Sequence, residues 1–339
     1  MVTINDVARE AEASISTVSK ALNNSYAISP ERAEHIKAVA KRLGYKPNIR
    51  AQALSRKSSR KIVFLTRLGK NMAFENPHMF EILSGVESAL REKNYGIILL
   101  HCDEKNICAA SKDIIQSKGA DGLILHASVV TKELSVMLSR ENVPHIVIGK
   151  PDFLNSLSWI DNNNRLAGGM AARRLLELGH KNIAIIGSPK GDNISEDRIS
   201  GASAEFNSRD DIHPVVLRGE STIEHGRQLG ERILALEPRP TAIICAGNHL
   251  AVGCLRALQL NKVAVPDDIS LITFDEYPFS KFTDPPLSTV NIDVHDLGVH
   301  AAKMLLGIIK QPKLHVQSYS TLPVLVERGS CARVASHHS

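Results

Sequence analysis

The sequence predicts two fold classes in one chain: a small all-α helix-turn-helix module, then a hinge, then a two-lobed α/β body built on parallel sheets. Three observations carry that prediction. Three short helical patterns with recognisable starts crowd residues 3–44. Of the 41 Lys and Arg, 12 lie in residues 1–61 against 5 of the 36 Asp and Glu, so this head carries +7 while the other 278 residues carry −2. Beyond residue 61, continuous Ile/Val/Leu runs alternate with amphipathic stretches, the pattern of strands buried on both faces and the helices that cover them.

Thr3-Ile4-Asn5-Asp6 has the form of a capping box, and Ile4, Val7, Ala8 and Ala11 follow at helical intervals, which predicts a first helix. Ser14 is placed to cap a second, short helix in which Val18 and Leu22 share one face while Ser16, Lys20 and Asn23 share another. Small polar and cationic groups therefore line up outward. Ser29-Pro30-Glu31 predicts a third start, with serine as N-cap, proline at the first helical position and an acid at the positive end of the dipole. Ala33, Ile36, Ala40 and Leu43 form its buried stripe, and Gly44 ends it. So few apolar residues make a marginal core, one that a second subunit or DNA stabilises. A +7 head neutralises phosphates and gives salt-sensitive affinity, so double-stranded DNA is the expected partner.

In the body, Ile62–Leu65, Gly96–Leu100, Gly122–Leu125 and Val143–Ile148 read as one set of strands, and Asn182–Ile186, Pro214–Leu217, Thr241–Cys245 and Ile269–Phe274 as a second. Helical stretches such as Phe80–Lys93, Leu166–Leu178 and Ala251–Leu260 lie between them. Such a length exceeds one compact core, so two α/β lobes are expected. Open parallel sheets bind ligands beyond the carboxyl ends of their strands. Asp161, Arg198, Asn248 and Asp275 each follow such an end, and a cleft between lobes brings them together. A carboxylate, a guanidinium and an amide suit a neutral polyhydroxylated ligand, because each engages adjacent hydroxyls with directional bonds. Phe80, at the start of the first body helix, is placed to offer a ring face to such a ligand.

The blocks Val2–Ala8, Ser14–Asn23 and Leu43–Asn48 closely resemble the lactose-repressor/galactose-repressor (LacI/GalR) family in order and spacing, as do Glu177–Ala184, Val265–Asp275 and Leu325–Ser330 further on. The resemblance implies a sensor body like the periplasmic sugar-binding proteins. It also implies that the second helix enters the major groove, with Ile15, Ser16 and Lys20 at base edges and Thr17, Ser19 and Asn23 on phosphates. Thr3, Asn5, Ser14, Asn48 and Arg50 complete the DNA-facing set. Asn48–Ser55 resembles the family's hinge helix, which orders on paired half-sites, packs Ala51 against its twin and pushes Leu54 into the minor groove; an apolar wedge of this kind unstacks a flexible step and bends the duplex. Arg50, Arg56, Lys57, Arg60 and Lys61 then meet the backbone.

Departures from the family pattern sharpen these expectations. Glu12 stands where the family usually has glycine in the turn, so a left-handed glutamate is expected there. Lys20 replaces a common arginine and cannot make the flat bidentate pair that favours guanine. Leu68–His78 departs from the family's short loop and is expected to reshape the pocket mouth or order a ligand. The family-implied domains are 1–47 for DNA binding, 48–61 for the hinge and linker, 62–330 for the sensor and 331–339 for the tail. Within the sensor, the N-lobe is expected over about 62–160 and 292–319, and the C-lobe over about 161–291 and 320–330.

Enzyme readings find no support, for there is no phosphate-binding Gly-x-x-x-x-Gly-Lys-Ser/Thr loop, no Gly-x-Gly-x-x-Gly after a strand, no His-Glu-x-x-His and no Gly-x-Ser-x-Gly. Cys102, Cys108, Cys245, Cys254 and Cys331 include no Cys-x-x-Cys, so neither zinc nor disulfides, and no cofactor, are expected. No run approaches a transmembrane length and the N-terminus lacks a signal-peptide pattern, which predicts a cytoplasmic chain and disfavours a secreted sugar-binding protein. No leucine heptad follows Val334, so a homodimer reading a pseudo-palindromic operator is expected rather than a coiled-coil tetramer. The chain is thus expected to be a transcriptional regulator, a repressor controlled by a small effector, best matched by a carbohydrate. A corepressor-dependent member or an activator is the alternative, with a cytoplasmic sugar-modifying enzyme behind both.

Overall fold

The computed structural model describes residues 2–22, 27–45, 58–69, 77–209, 211–312 and 317–334. The chain divides into two compact units, Met1–Arg60 with Lys118–Asp121, and Lys61–Ser117 with Gly122–Ser339.

In the first unit, helices α1 (Ile4–Glu10), α2 (Ile15–Leu22) and α3 (Pro30–Arg42) pack Val7, Ala8, Ala11, Val18, Ala21, Ile36, Val39 and Ala40 into one small core. The capping box forms as the spacing requires: the Asp6 amide donates to the Thr3 hydroxyl, and the Thr3 amide donates to the Asp6 carboxylate at 2.9 Å. Ser29 occupies the N-cap of α3 but its hydroxyl makes no capping bond; Pro30 at the first helical position carries that start instead. Glu12 sits at φ +45, and its carbonyl accepts from the Arg32 guanidinium at 2.8 Å, which ties the turn to α3.

The second unit holds two six-stranded sheets. Strands β1 (Lys61–Thr66), β2 (Gly96–His101), β3 (Gly122–His126), β4 (His145–Ile148) and β5 (Trp159–Asn162) build the first; β6 (Ile183–Gly187), β7 (Val215–Arg218), β8 (Ala242–Cys245), β9 (Ser270–Phe274) and β10 (Ser288–Asn291) build the second. The chain then returns, placing β11 (Ser318–Thr321) in the first sheet and β12 (Val324–Val326) in the second. The orders are β11-β5-β4-β3-β1-β2 and β12-β10-β9-β8-β6-β7. All pairs are parallel except β10 with β12.

The expected lobe boundaries therefore shift by a few residues. All of β5 through Asn162 and all of β11 through Thr321 stay with the N-lobe sheet, because both continue its hydrogen-bond ladder. A second correction concerns the apolar runs of β2 and β7. They are not buried on both faces, since each strand closes one edge of its sheet, and Ile98, Leu99, Val215 and Val216 are exposed.

Helices α4 (Pro77–Glu92), α5 (Ile107–Gln116), α6 (Lys132–Arg140) and the returning α11 (Val294–Lys310) serve the N-lobe; α7 (Asn164–Glu177), α8 (Asn193–Phe206), α9 (Ile223–Leu234) and α10 (Asn248–Leu260) serve the C-lobe. The C-lobe sheet is covered on both faces, by Ala171, Leu175, Ile199 and Phe206 on one side and by Leu229, Ile233, Leu250 and Cys254 on the other. Close helix pairs use glycine at the crossing. A Cβ on Gly168 would stand 1.9 Å from the Arg198 carbonyl oxygen, and one on Gly201 would stand 1.8 Å from that of Arg165, so α7 and α8 approach as nearly as two backbones can.

Candidate effector site and DNA-facing helix

α2 starts at a working cap, since the Ser14 hydroxyl accepts from the Thr17 amide at 3.1 Å and also bonds the Thr17 hydroxyl at 2.8 Å. Val18 and Ala21 turn inward. Ser16 and Lys20 turn outward, and Ile15 is 52% exposed, an unusual place for an isoleucine in a unit this short of core. Thr17 and Ser19 are half-buried beside them, and Thr3 and Asn5 are exposed at the start of α1. Asn23, Asn48, Arg50, Ala51 and Leu54 lie outside the described residues.

In the sensor unit, the central feature is a buried ion pair. Arg198 projects from α8, which Asp192 caps by accepting from the amides of Ile194 and Ser195. Its Nη1 and Nη2 donate to the two carboxylate oxygens of Asp275 at 2.9 and 2.7 Å, its Nε donates to Asn164 Oδ1 at 2.9 Å, and its Nη1 also donates to the Ala246 carbonyl at 2.8 Å. The guanidinium lies 4.6 Å from the centre of the Phe274 ring. Arg198 is 5% exposed and Asp275 7%. Charges so placed persist only when paired and hydrogen-bonded, and here both conditions hold.

Asp275 follows β9 directly and sits at φ +66, a left-handed turn that aims its carboxylate back at α8. Burial pushes its carboxyl up, but the charge and hydrogen bonds of the Arg198 guanidinium outweigh that and hold it below the ordinary value. Asn248 secures the turn. Its amide nitrogen donates to the carbonyls of Phe274 and Asp275, and its oxygen accepts from the Ser280 hydroxyl at 3.0 Å. These bonds hold the turn that carries Asp275 and place the Asn248 amide beside the Arg198–Asp275 pair.

The other two expected residues lie in the N-lobe. Asp161 lies within β5, where its carboxylate accepts from the amides of Lys150 at 3.1 Å and Asn162 at 2.7 Å. Burial, with the charge of Asp197 added, pushes its carboxyl up. Phe80 is 47% exposed on α4. Two residues earlier, His78 meets the C-lobe: it lies 4.6 Å from the ring of Tyr277, tilted by 40°, while His249 meets the same tyrosine edge-on at 5.9 Å. Sequence reasoning missed His78, Tyr277, Asn164 and the Ala246 carbonyl. Only His78 left a signal, as the last residue of the divergent stretch Leu68–His78 and the neighbour of a helix-starting Pro77.

What converges is a carboxylate, a guanidinium with four of its five N–H groups engaged, and neutral rings from both lobes. Burial pushes the imidazole of His78 down and the phenol of Tyr277 up, so both are uncharged near neutral pH. Among the described residues no group of three or more His, Cys, Asp or Glu is arranged to hold a metal ion, and no helix is long and apolar enough to cross a membrane.

Comparison with known proteins agrees with the fold. Residues 3–48 match the bacterial regulatory proteins of the lacI family, and residues 172–331 match the periplasmic binding protein-like domain. The chain is 31% identical over 343 residues to a probable HTH-type transcriptional repressor ExuR of Bacillus subtilis, covering 99% of this chain and 100% of that one. It is 29% identical to the HTH-type transcriptional repressor PurR of Vibrio parahaemolyticus, covering 98% and 100%. Among solved structures, the lac repressor dimer bound to operator and the anti-inducer ONPF superposes with a TM-score of 0.82 at 24% identity over 98% of this chain and 99% of that one. The complex of transcriptional regulator CelR with cellobiose superposes with a TM-score of 0.72 at 24% identity over 97% and 100%. With a full-length relative above 30% identity and both domain signatures in their expected order, the chain belongs to the LacI family of bacterial regulatory proteins, DNA-binding transcriptional regulators rather than enzymes.

Proposed function

We propose that this protein is a cytoplasmic, homodimeric repressor whose affinity for a pseudo-palindromic operator is set by a small polyhydroxylated effector held between the two lobes at Arg198 and Asp275. The observation that carries the reading is the buried bidentate pair itself, which comes from α8 and the β9 turn and has ring faces from both lobes beside it. A sugar presents adjacent hydroxyls that donate to Asp275 and accept from Arg198 together. The relatives are named as a probable transcriptional repressor, ExuR, and a transcriptional repressor, PurR, and the structural neighbour CelR is in complex with cellobiose. The exposed face of α2, with Ile15, Ser16 and Lys20, is the DNA-reading surface, and Leu54 is the hinge wedge. Exposed Ile98 and Leu99 on the β2 edge offer apolar surface for a second copy.

The test is binding to a palindrome from the gene's own upstream region, measured by fluorescence anisotropy. Operator must bind at least ~10³-fold tighter than random DNA, with steep salt dependence. Equal affinity for both sinks the regulator reading. An effector that strengthens instead of weakens operator binding makes the protein corepressor-dependent, and the same titration reads that sign.

A further inference from the structure

We infer that Asn164 and Asn291 are positioning residues that tie the two halves of the Arg198–Asp275 pair to two different lobe crossings, and so convert a change at the pair into a change between the lobes. This role rests on the effector reading above and adds how the site reports its occupancy. Among the described residues the chain passes between lobes three times, from β5 into α7, from β10 into α11 and from β11 into β12. Two of these passages carry an asparagine turned to the pair. Asn164, the first residue of α7, is 3% exposed, and its Oδ1 accepts from Arg198 Nε at 2.9 Å. Asn291 ends β10, and its Oδ1 accepts at 3.2 Å from the amide of Glu276, the residue after Asp275. Each half of the pair therefore has its own anchor.

The third passage joins the other two. Thr321, the last residue of β11, donates its hydroxyl to Asn162 Oδ1 at 2.6 Å, and its carbonyl accepts from the Asn163 amide at 3.2 Å. Val324, the first residue of β12, pairs with Asn291 across the antiparallel ladder. Bonded contacts thus run from Arg198 through Asn164 and its two neighbours to β11, and from β12 through Asn291 to the Asp275 turn. Neither anchor has slack to absorb a displacement. α7 and α8 touch backbone to backbone at Gly168 and Gly201, so Asn164 and Arg198 move as one piece. The Glu276 carboxylate is held by Arg328 at 2.5 Å and by Thr289 at 2.9 Å, which fixes the residue beside Asp275. A ligand hydroxyl that takes a bond from either member must re-aim the pair, and elements packed this closely pass the shift on as a discrete rearrangement. Removing either asparagine leaves the mutual bonds of Arg198 and Asp275 in place, so binding and coupling are separable.

The experiment uses the full-length protein, a fluorescent duplex of the upstream palindrome, and the tightest binder from a thermal-shift panel of neutral monosaccharides, disaccharides and uronic acids. Calorimetry reads the sugar Kd, and anisotropy reads the ratio of operator Kd values with and without saturating sugar. That ratio is the coupling factor, which a structural defect felt equally in both states leaves unchanged. Wild type is expected at about 5–150-fold, and Asn164→Ala and Asn291→Ala each lower the factor about threefold or more while binding sugar within about tenfold of wild type. Asn164→Asp, which keeps an acceptor for Arg198 at a helix start that favours a carboxylate, holds the factor within about twofold of wild type. Thr321→Val touches neither Arg198 nor Asp275, lowers the factor as well, and stands in should an alanine variant fail to fold. Coupling through the asparagines alone is overturned in one circumstance: sugar binding depends on Arg198 and shifts operator affinity in wild type, yet the alanine variants or Thr321→Val keep the full factor, or Asn164→Asp loses it. Sugar binding that survives Arg198→Met, no binding across the panel, or an operator affinity indifferent to bound sugar overturns the effector reading and the role of both asparagines with it.

Discussion

Asp275→Asn isolates the charge of the central ion pair more cleanly than any other substitution at the site. Asp275 sits at φ +66, a left-handed conformation in which asparagine is among the few well-tolerated residues, so the turn is undisturbed. The replacement is isosteric, and the Asn248 bonds to the Phe274 and Asp275 carbonyls do not involve the altered group. What changes is that the Arg198 guanidinium, 5% exposed, loses its counter-charge and one of two bonds made at 2.7 and 2.9 Å. Removing one partner of a buried pair costs about 3–5 kcal/mol. For a sensor unit of this size that corresponds to a drop of about 5–9 °C in Tm.

The acid dependence supplies a second readout. Asp275 is held below its ordinary value in the fold, so its contribution is present above the unfolded-state value and is lost as pH falls through the folded one. Wild type and variant must therefore converge in acid. Circular dichroism melts at pH 7 and across the acid range decide the matter. A variant within 1 °C of wild type at pH 7, or a gap that does not close in acid, refutes the reasoning.

Three further outcomes follow from the same geometry. Glu12→Gly should stabilise the first unit and tighten operator binding, because it relieves ~1 kcal/mol of left-handed strain at φ +45 and removes a carboxylate from a basic unit; melting and anisotropy read both, and a weaker binder refutes it. Gly168→Ala puts a methyl 1.9 Å from the Arg198 carbonyl oxygen, so α7 and α8 must part; a loss of about 1–3 kcal/mol or more and weaker effector binding are expected, and urea denaturation with calorimetry will show if neither occurs. Asp121 accepts from the amides of Ser59 and Arg60 and from the hydroxyls of Ser58 and Ser59; although burial raises its carboxyl, these bonds hold it below the ordinary value. Its contribution is thus lost as pH falls, and Asp121→Asn should flatten the acid sensitivity of operator binding near the base of the linker, with an unchanged acid profile counting against it.

The architecture was legible because backbone demands write themselves into local sequence. Thr3, Ser14 and Pro30 mark helix starts that any three-helix unit needs, and the Ile/Val/Leu runs of β1, β3, β6, β8 and β9 are what strands covered on both faces require. The left-handed Glu12 was also readable, through the resemblance to a family that usually has glycine at this turn position. Burial of β2 and β7 was not, because an edge strand and a central strand can carry the same apolar run, and only the pairing order separates them.

At the site, Arg198 and Asp275 were found from their places after strand ends, but their mutual pairing depends on how two distant elements approach. Asn248 illustrates the limit. An amide at a strand end reads as a ligand contact, and the three bonds it makes within the fold, to the Phe274 and Asp275 carbonyls and from Ser280, leave no local sequence signal. His78 and Tyr277 escaped for the same reason: a ring contact between lobes has no local sequence pattern.

The central claim is that occupancy of the Arg198–Asp275 site and operator affinity are one coupled equilibrium. Its most direct test is the operator dissociation constant with and without the best-binding sugar, measured for wild type and for Asp275→Asn at fixed salt. The account predicts a change of about 5–150-fold in wild type, mirrored by an equal change in sugar affinity when operator is present, and near loss of both changes in the variant. An operator affinity indifferent to a sugar that demonstrably occupies the site contradicts it.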